Sequence, residues 1–356
     1  MKNNKDTIFI LLASSSIGGA EINLCKIAKN YPDNIQLFTT EGFGELSKYC
    51  YSNNICLNHL KAGYNYTKLV NFLKCYFKFR PSIIYSIGIY NCLFLRFLKT
   101  VLPFKLIVGV RSNYSHNTFN HKIFNFIEKY TWTMVDHYIS NSIAASNTLS
   151  TKCYIPSNLV SVIHNGFSQT DIDPVNEYCS RIISVVANLS PRKGYIEFLS
   201  TIRILSDMYN DLHFFLIGKD YMNGEVQAKC SQLNLDKHVT FTGYVSNVYE
   251  YLSKSCIFVL PAKWGEGCPT SILEAMACAL PVVAYSVDGI PELLSDSNLP
   301  LLENPTKADL YENIDYLLSN PTKMQKIGSA NLNHLKTQFN DDSFLQNHLK
   351  IFKFLV

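Results

Sequence analysis

The amino-acid sequence predicts an α/β protein of two doubly wound domains, each a parallel sheet covered on both faces, facing one another across a cleft. Three observations carry this expectation. Short apolar, β-rich runs alternate with helical patterns along the whole chain. The alternation pauses once, at the polar stretch HNGFSQTDIDPVNEY (residues 164–178), and then restarts. At 356 residues the chain is too long for one compact core and long enough for two.

Each element has its own signal. Thr7–Ala13 reads as a buried strand, and Gly18-Gly19 leads into a helical pattern over Ala20–Asn30. Ile35–Thr39 is the next strand. Lys68–Phe79 is helical and ends before Pro81, which has no N–H to continue a helix. Strands follow at Ser82–Ile87 and Lys105–Val110, a helix at Phe119–Thr133, and strands at His137–Ser140 and Val160–His164. After the pause, strands recur at Ile182–Val186, Leu212–Gly218, Val239–Thr242, Ile257–Leu260 and Pro281–Ala284, with helical segments between them. Thr322–Gln338 and Asp342–Phe354 are amphipathic helices that close the chain. The pattern therefore gives a Rossmann-like domain at 1–167, a linker at 168–180 and a second Rossmann-like domain at 181–338. A last helix, 339–356, is placed to return to the first domain.

Composition excludes several classes. With 47% hydrophobic and 17% charged residues the chain is globular. Its eleven cysteines form no Cys-x-x-Cys pair and have no histidines at metal-ligand spacing. They read as reduced thiols of a cytoplasmic protein, with no metal site and no disulfide frame. The apolar run Ile8–Ala13 is too short for a signal peptide, and Gly-Gly-Ala-Glu after it suits a strand-to-helix loop. No segment reaches the roughly eighteen apolar residues of a spanning helix. Between Glu45 and Glu128 there is no Asp or Glu, whereas eleven Lys and Arg occur there, including Lys68, Lys74, Lys78 and Lys122. A half this basic seeks an anionic partner: nucleic acid, a phosphate-bearing substrate or a membrane surface. No nucleic-acid reading module is recognisable.

In doubly wound sheets ligands bind beyond the carboxyl ends of the strands, so the loops there are the candidate site. Gly18 and Gly19 let backbone approach a ligand at a helix N-terminus. After the Ile182–Val186 strand, Asn188 ends the strand and Arg192-Lys193-Gly194 opens a helix. Two cations there oppose the helix dipole by roughly half a kcal/mol or more unless an anion lies between them. That points to a phosphate site. After Ile257–Leu260 comes WGEGCPTSILEAMACALPVV (264–283), with Glu266 before a turn and Glu274 after it. Gly265 and Gly267 are expected to leave amides exposed, and Glu266 to face the cleft. Ser271-Ile-Leu-Glu274 also fits an ordinary capping box, with Glu274 in the first helical turn. Carboxylates accept paired hydrogen bonds from the hydroxyls of a ribose or hexose, so the two acids suit sugar recognition better than proton transfer. Gly265-x-Gly267-x-x-Thr270 is not a dinucleotide fingerprint, because the third glycine is missing and Pro269 stiffens the turn.

The segments VIHNGF, ANLSPRKG, FTGYVSNVYEYLSKSCIFVLP and EGCPTSILEAMACALPVVAYSVDGIPELL together resemble the successive motifs of the retaining GT-B glycosyltransferases of family 4, glycosyl transferases group 1. The resemblance covers nearly the whole chain and is most specific from Val239 to Leu294, where Glu266-x7-Glu274 matches that family's glutamate pair. It implies that the N-terminal domain binds the acceptor and the C-terminal domain a UDP- or GDP-linked sugar. Glu266 would touch the transferred sugar and Glu274 the ribose. The amides around Gly267 and Cys268, with Pro269 and Thr270 in the same turn, would meet the sugar or phosphate. Lys193, helped by Arg192, would bind the diphosphate beside Gly18 and Gly19. Many members have arginine where this chain has Asn188. The family's N-terminal histidine is also missing: VGVRSN puts Arg111 there, with His116 nearby. The implied reaction is metal-independent retaining transfer of a hexose to a lipid-linked or glycan acceptor, in polysaccharide or lipopolysaccharide biosynthesis on the inner face of a bacterial membrane, and it needs no cofactor. Two alternatives stand beside it. One is a nucleotide-sugar epimerase, which needs no basic half. The other is a non-catalytic binding protein, disfavoured by the intact pair of glutamates with Lys193.

Overall fold

The computed structural model describes residues 7–60, 66–116, 118–168, 181–306 and 310–356. The expected linker lies, from residue 169 on, outside the described residues. The chain divides into two compact units, Met1–Gly166 with Asp341–Val356, and Phe167–Asn340.

The first unit runs β1 (Ile8–Leu12), α1 (Gly19–Asn30), β2 (Ile35–Thr39), α2 (Glu45–Ser52), β3 (Leu57–His59), α3 (Tyr66–Phe79), β4 (Ile83–Ile87), α4 (Ile89–Lys99), β5 (Lys105–Val110), α5 (Phe119–Thr131), β6 (His137–Ser140), α6 (Ile143–Lys152) and β7 (Val160–Val162). Its sheet is parallel, in the order β3-β2-β1-β4-β5-β6-β7, with Ile10 opposite Leu37 on one side and Tyr85 on the other. The five residues of β1 are all buried because both faces are covered. Ile8, Ile10 and Leu12 pack into the core of α1 and α2, while Phe9 and Leu11 pack into that of α3 to α6. Arg96 of α4 and Glu128 of α5 form a buried pair at 2.5 Å, and the Tyr138 hydroxyl of β6 donates to the same carboxylate.

The second unit runs β8 (Ile182–Val186), α7 (Tyr195–Met208), β9 (His213–Ile217), α8 (Glu225–Gln232), β10 (Val239–Gly243), α9 (Tyr249–Leu252), β11 (Ile257–Leu260), α10 (Thr270–Ala277), β12 (Val282–Tyr285), β13 (Leu302–Glu303), α11 (Tyr311–Leu318) and α12 (Pro321–Gln338). The order β10-β9-β8-β11-β12-β13 is again wholly parallel. Both sheets reverse their strand order once, between β1 and β4 and between β8 and β11. At such a reversal the loops diverge and leave a crevice for a ligand.

The last helix, α13 (Asp341–Leu355), belongs to the first unit. Phe344, His348 and Phe352, four residues apart, make one buried stripe against Tyr85 and the β1 core. Its start is fixed by Lys26 of α1, whose ammonium donates to Asp341 Oδ1 and to the Gly166 carbonyl, each at 2.9 Å. A side chain at Gly166 would meet Asp341 Oδ1 at 2.5 Å, so only glycine admits this approach. No described helix is long and apolar enough to cross a membrane.

Candidate active site

The two loops at the reversal of the second sheet carry the candidate residues of the second unit, and a glycine brings them together. After β8 the chain makes a single 3-10 turn over Pro191–Lys193 and enters α7 through Gly194, which is left-handed at φ 67°. A Cβ there would lie 2.2 Å from the Pro261 carbonyl at the end of β11. The close approach is locked by the Lys263 amide donating to the Arg192 carbonyl at 2.9 Å.

This contact sets Lys193 and Arg192 against Glu266. Lys193 Nζ donates to Glu266 Oε1 at 2.6 Å, and Arg192 Nη1 donates to the same oxygen at 2.7 Å. Lys193 and Glu266 are buried, while the Arg192 side chain is 42% exposed. Burial alone would raise the Glu266 carboxyl, but the two cations outweigh it and hold the group below the usual range. Lys193 is held below an ordinary lysine, first by burial and then by Arg192, because one carboxylate serves both cations. The anion expected between Arg192 and Lys193 is thus present in the chain itself. Glu266 points into the protein rather than toward open solvent.

Two further expectations are corrected. The Gly265 amide is not exposed: it donates to Asp288 Oδ2 at 2.6 Å, and the Glu266 amide donates to the same oxygen at 3.1 Å. The capping box does not form. Pro269, preset at φ −63° and lacking any side-chain acceptor, is the N-cap of α10, and no side chain caps this helix. Ser271 is therefore the second helical residue and Glu274 the fifth, beyond the first turn. Glu274 lies near Tyr249, whose hydroxyl is raised by burial first and then by this carboxylate. Gly267 and Cys268 are buried in the turn before α10, and Pro269 and Thr270 are half-buried at its start.

Asn188 is exposed, and its Oδ1 accepts from the Lys219 amide at 3.0 Å, tying the β8 loop to the β9 loop. In the first unit, Gly18 is the N-cap of α1 and Gly19 its first residue. The Glu21 carboxyl folds back on this N-terminus: a Cβ on Gly18 would sit 3.0 Å from Glu21 Oε2. Burial raises the Glu21 carboxyl, and the amides of Glu21 and Gly18 and the charge of Arg111 oppose that rise. Arg111 follows β5 and donates through Nη2 to the Tyr85 hydroxyl; its Nε and Nη1 are buried without an acceptor among the described residues. His116 is exposed in the loop after β5. Asp288 was not expected as a site residue, and its left-handed φ of 50° marks it only in the folded chain.

The profile of the family glycosyl transferases group 1 matches residues 173–334. These residues are a glycosyl transferases group 1 domain. It holds Arg192, Lys193, Glu266, Glu274 and Asp288. Among curated relatives, an uncharacterized glycosyltransferase of Haemophilus influenzae is 24% identical over 62% of this chain and 65% of its own length. The N,N'-diacetylbacillosaminyl-diphospho-undecaprenol alpha-1,3-N-acetylgalactosaminyltransferase of Campylobacter jejuni is 29% identical over 48% of this chain and 44% of its own. The matches therefore span less than two thirds of these relatives' lengths. Among solved structures, Anabaena HepE in complex with UDP-glucose superposes with a TM-score of 0.85 at 18% identity, covering 97% of this chain and 99% of that one. Sucrose-phosphate synthase of Thermosynechococcus elongatus superposes at 0.83, with 17% identity, covering 98% and 99%. At this identity the likeness carries the fold, which is GT-B: two Rossmann-like units, the second of them the glycosyl transferases group 1 domain.

Proposed function

We propose that the protein is a retaining, metal-independent hexosyltransferase that moves a sugar from a UDP- or GDP-linked donor to a hydroxyl of a lipid-linked or glycan acceptor. The observation that supports it most is the single buried carboxylate of Glu266 between Lys193 and Arg192, at the strand reversal of a glycosyl transferases group 1 domain. In this reading the donor diphosphate meets Lys193 and Arg192, and their positive charge stabilises the departing nucleoside diphosphate in place of a metal ion. Glu266 keeps both cations ionised and aimed, and its carboxylate meets the hydroxyls of the sugar. Glu274 accepts from the ribose hydroxyls. The acceptor oxygen attacks the face the diphosphate leaves, guided by a phosphate oxygen. Arg111, Gly18 and Gly19 serve the reaction from the first unit.

The acceptor class rests on two supports. The first unit is rich in cations, and the Campylobacter jejuni relative is named for a diphospho-undecaprenol substrate. We place the protein in bacterial surface glycan biosynthesis, peripheral on the inner face of the cytoplasmic membrane. The test is incubation with a panel of nucleotide sugars and a polyprenyl-diphosphate-sugar acceptor, following nucleoside diphosphate release and the anomeric proton of the product. One donor should give acceptor-dependent release and a product that keeps the donor's anomeric configuration. An inverted product would refute the retaining reading. A nucleotide sugar epimerised without release of nucleotide would establish the epimerase instead.

A further inference from the structure

The solvent-facing side of the α3–α6 layer is inverted relative to an ordinary protein surface. A surface helix normally buries an apolar stripe and shows a polar one. In α4 the buried residues are Cys92, Leu95, Arg96 and Leu98, yet the exposed ones are Tyr90, Leu93 and Phe97, again apolar. Tyr90 is 83% exposed and Phe97 73%; Val101, just past the helix, continues the stripe. The neighbouring α5 exposes Phe119, Lys122, Phe126, Lys129 and Tyr130, so rings and ammonium groups alternate along one face. On α3, exposed Leu69, Val70 and Phe77 accompany exposed Lys74 and Lys78.

These residues form one surface. Phe72 of α3 meets Phe94 of α4 edge-on at 5.9 Å, the Arg96–Glu128 pair joins α4 to α5, and Lys129 of α5 lies 4.9 Å from the Tyr154 ring just past α6. The charge is of one sign. Glu128 is the only acid within these four helices, and it is buried against Arg96. Asp136, before β6, is occupied by Lys99 and Lys105. Lys74, Lys78, Lys122, Lys129 and Lys152 are exposed. Exposed rings interleaved with unopposed cations match an anionic lipid surface, where rings enter the headgroup boundary and ammonium groups stay with the phosphates.

We propose that the outer face of α3–α6 is the membrane-docking surface, with Tyr90, Phe97 and Phe126 inserting and Lys74, Lys78, Lys122 and Lys129 paired to lipid phosphate. It deepens the proposal of a membrane-borne acceptor and commits to an anionic bilayer as the occupant. The alternative occupant, a second copy of this chain, would leave the lysines facing one another.

The test needs neither donor nor acceptor, so it can fail while the transferase reading stands, and the reverse. The full chain is sedimented with phosphatidylglycerol–phosphatidylcholine vesicles and with phosphatidylcholine vesicles, at low and high salt. Binding should require phosphatidylglycerol and weaken with salt. Phe97→Ser should weaken it roughly tenfold, as the transfer energy of one phenylalanine implies. Lys122→Glu with Lys129→Glu should weaken it and remove its salt dependence in part. Because Phe97 is exposed, its replacement leaves the core intact. As a direct reading, Phe97→Trp should show emission shifting to shorter wavelength when anionic vesicles are added. Wild type recovered in the supernatant under every condition would overturn the proposal. So would vesicle binding that is unchanged by Phe97→Ser, or a lipid-free dimer abolished by Phe97→Ser without any vesicle binding.

Discussion

Replacing Glu266 by Gln removes one charge from a group of three and leaves two cations against a neutral amide. At 2.6 Å and an effective dielectric near 20, the attraction of Lys193 for the carboxylate is about 6 kcal/mol before desolvation is subtracted. Arg192 adds less, because its side chain is 42% exposed and screened by water. Breaking a buried pair from one side leaves a net loss of about 3–5 kcal/mol, and we expect that loss at neutral pH. The deficit has a pH signature. In Glu266→Gln the two influences that raise Lys193, the Glu266 charge and its hydrogen bond, are gone, while burial and Arg192 still depress it. The folded variant therefore sheds the Lys193 proton at lower pH than wild type, whereas the unfolded chain keeps it up to the ordinary lysine value of 10.5. In that window the unfolded state binds more protons, so stability rises with pH and the deficit narrows between neutral pH and the ordinary lysine value. Urea unfolding read by Trp264, in a Trp132→Phe background, would measure it at both ends of the range. Pyrophosphate should stabilise the variant more than wild type, since it restores the missing negative charge. A loss below about 1 kcal/mol, or a deficit equal at both pH values, would refute the picture of Glu266 as the counter-ion of both cations.

Lys193→Ala should depress kcat more than it raises the donor KM, since stabilising a leaving diphosphate acts mainly in the transition state; unchanged turnover at saturating donor would pass that role to Arg192. Glu274→Ala should weaken donor binding by about 1.5–3 kcal/mol in a calorimetric titration, and an unaltered Kd would remove Glu274 from the ribose site. His348 is pushed down to about 3, first by burial and then by Arg111, from an ordinary 6.5. As pH falls through that interval the unfolded chain takes up a proton that the folded one refuses, so His348 costs stability there. His348→Phe should flatten the acid limb of the stability profile by up to about 1.4 kcal/mol per pH unit; parallel profiles for variant and wild type would show that His348 is not held neutral.

Much of this protein is legible in its sequence because its strands are buried on both faces. Lys105–Val110, Ile182–Val186 and Ile257–Leu260 are unbroken or nearly unbroken apolar runs, Ile35–Thr39 and His137–Ser140 are shorter mixed ones, and the structure has all five at the same residues. Edge elements escape this signal. β3 is Leu-Asn-His, half-buried, and β13 has two residues, so neither offers a run or an alternation to read. In the site, Lys193 and Glu266 stand out by charge and placement in strand-end loops. Gly194 does not, because its requirement is a carbonyl about seventy positions away in the chain. Asp288 likewise accepts from amides of a turn distant in the chain, a link that the sequence does not display. The capping box over Ser271–Glu274 was misleading since Pro269 fixes the helix start without any side-chain cap. Helix α4 shows a further limit. With apolar residues on both faces its pattern fits a buried helix, and only the fold tells which face is outside.

The chain passes from the first unit to the second at Gly166–Phe167 and returns at Asn340–Asp341. Those two crossings are fastened side by side: the Phe167 amide donates to the Phe339 carbonyl at 2.7 Å, and Phe167 bridges to Asn340. In terms of chain continuity the second unit is an insert with its ends already joined, and the first is a body split in two by that insert. The two should respond oppositely to cutting. Residues 167–340 expressed alone lose no strand of their sheet and keep their ends paired, so they should fold and bind nucleotide without the remainder. A chain stopped before Asp341 gives up Phe344, His348 and Phe352 from beneath β1 and β4, and with them a slab of the first unit's core. Thus a lesion in the last sixteen residues should act on the first unit of the protein, although the chain reaches them only after the second.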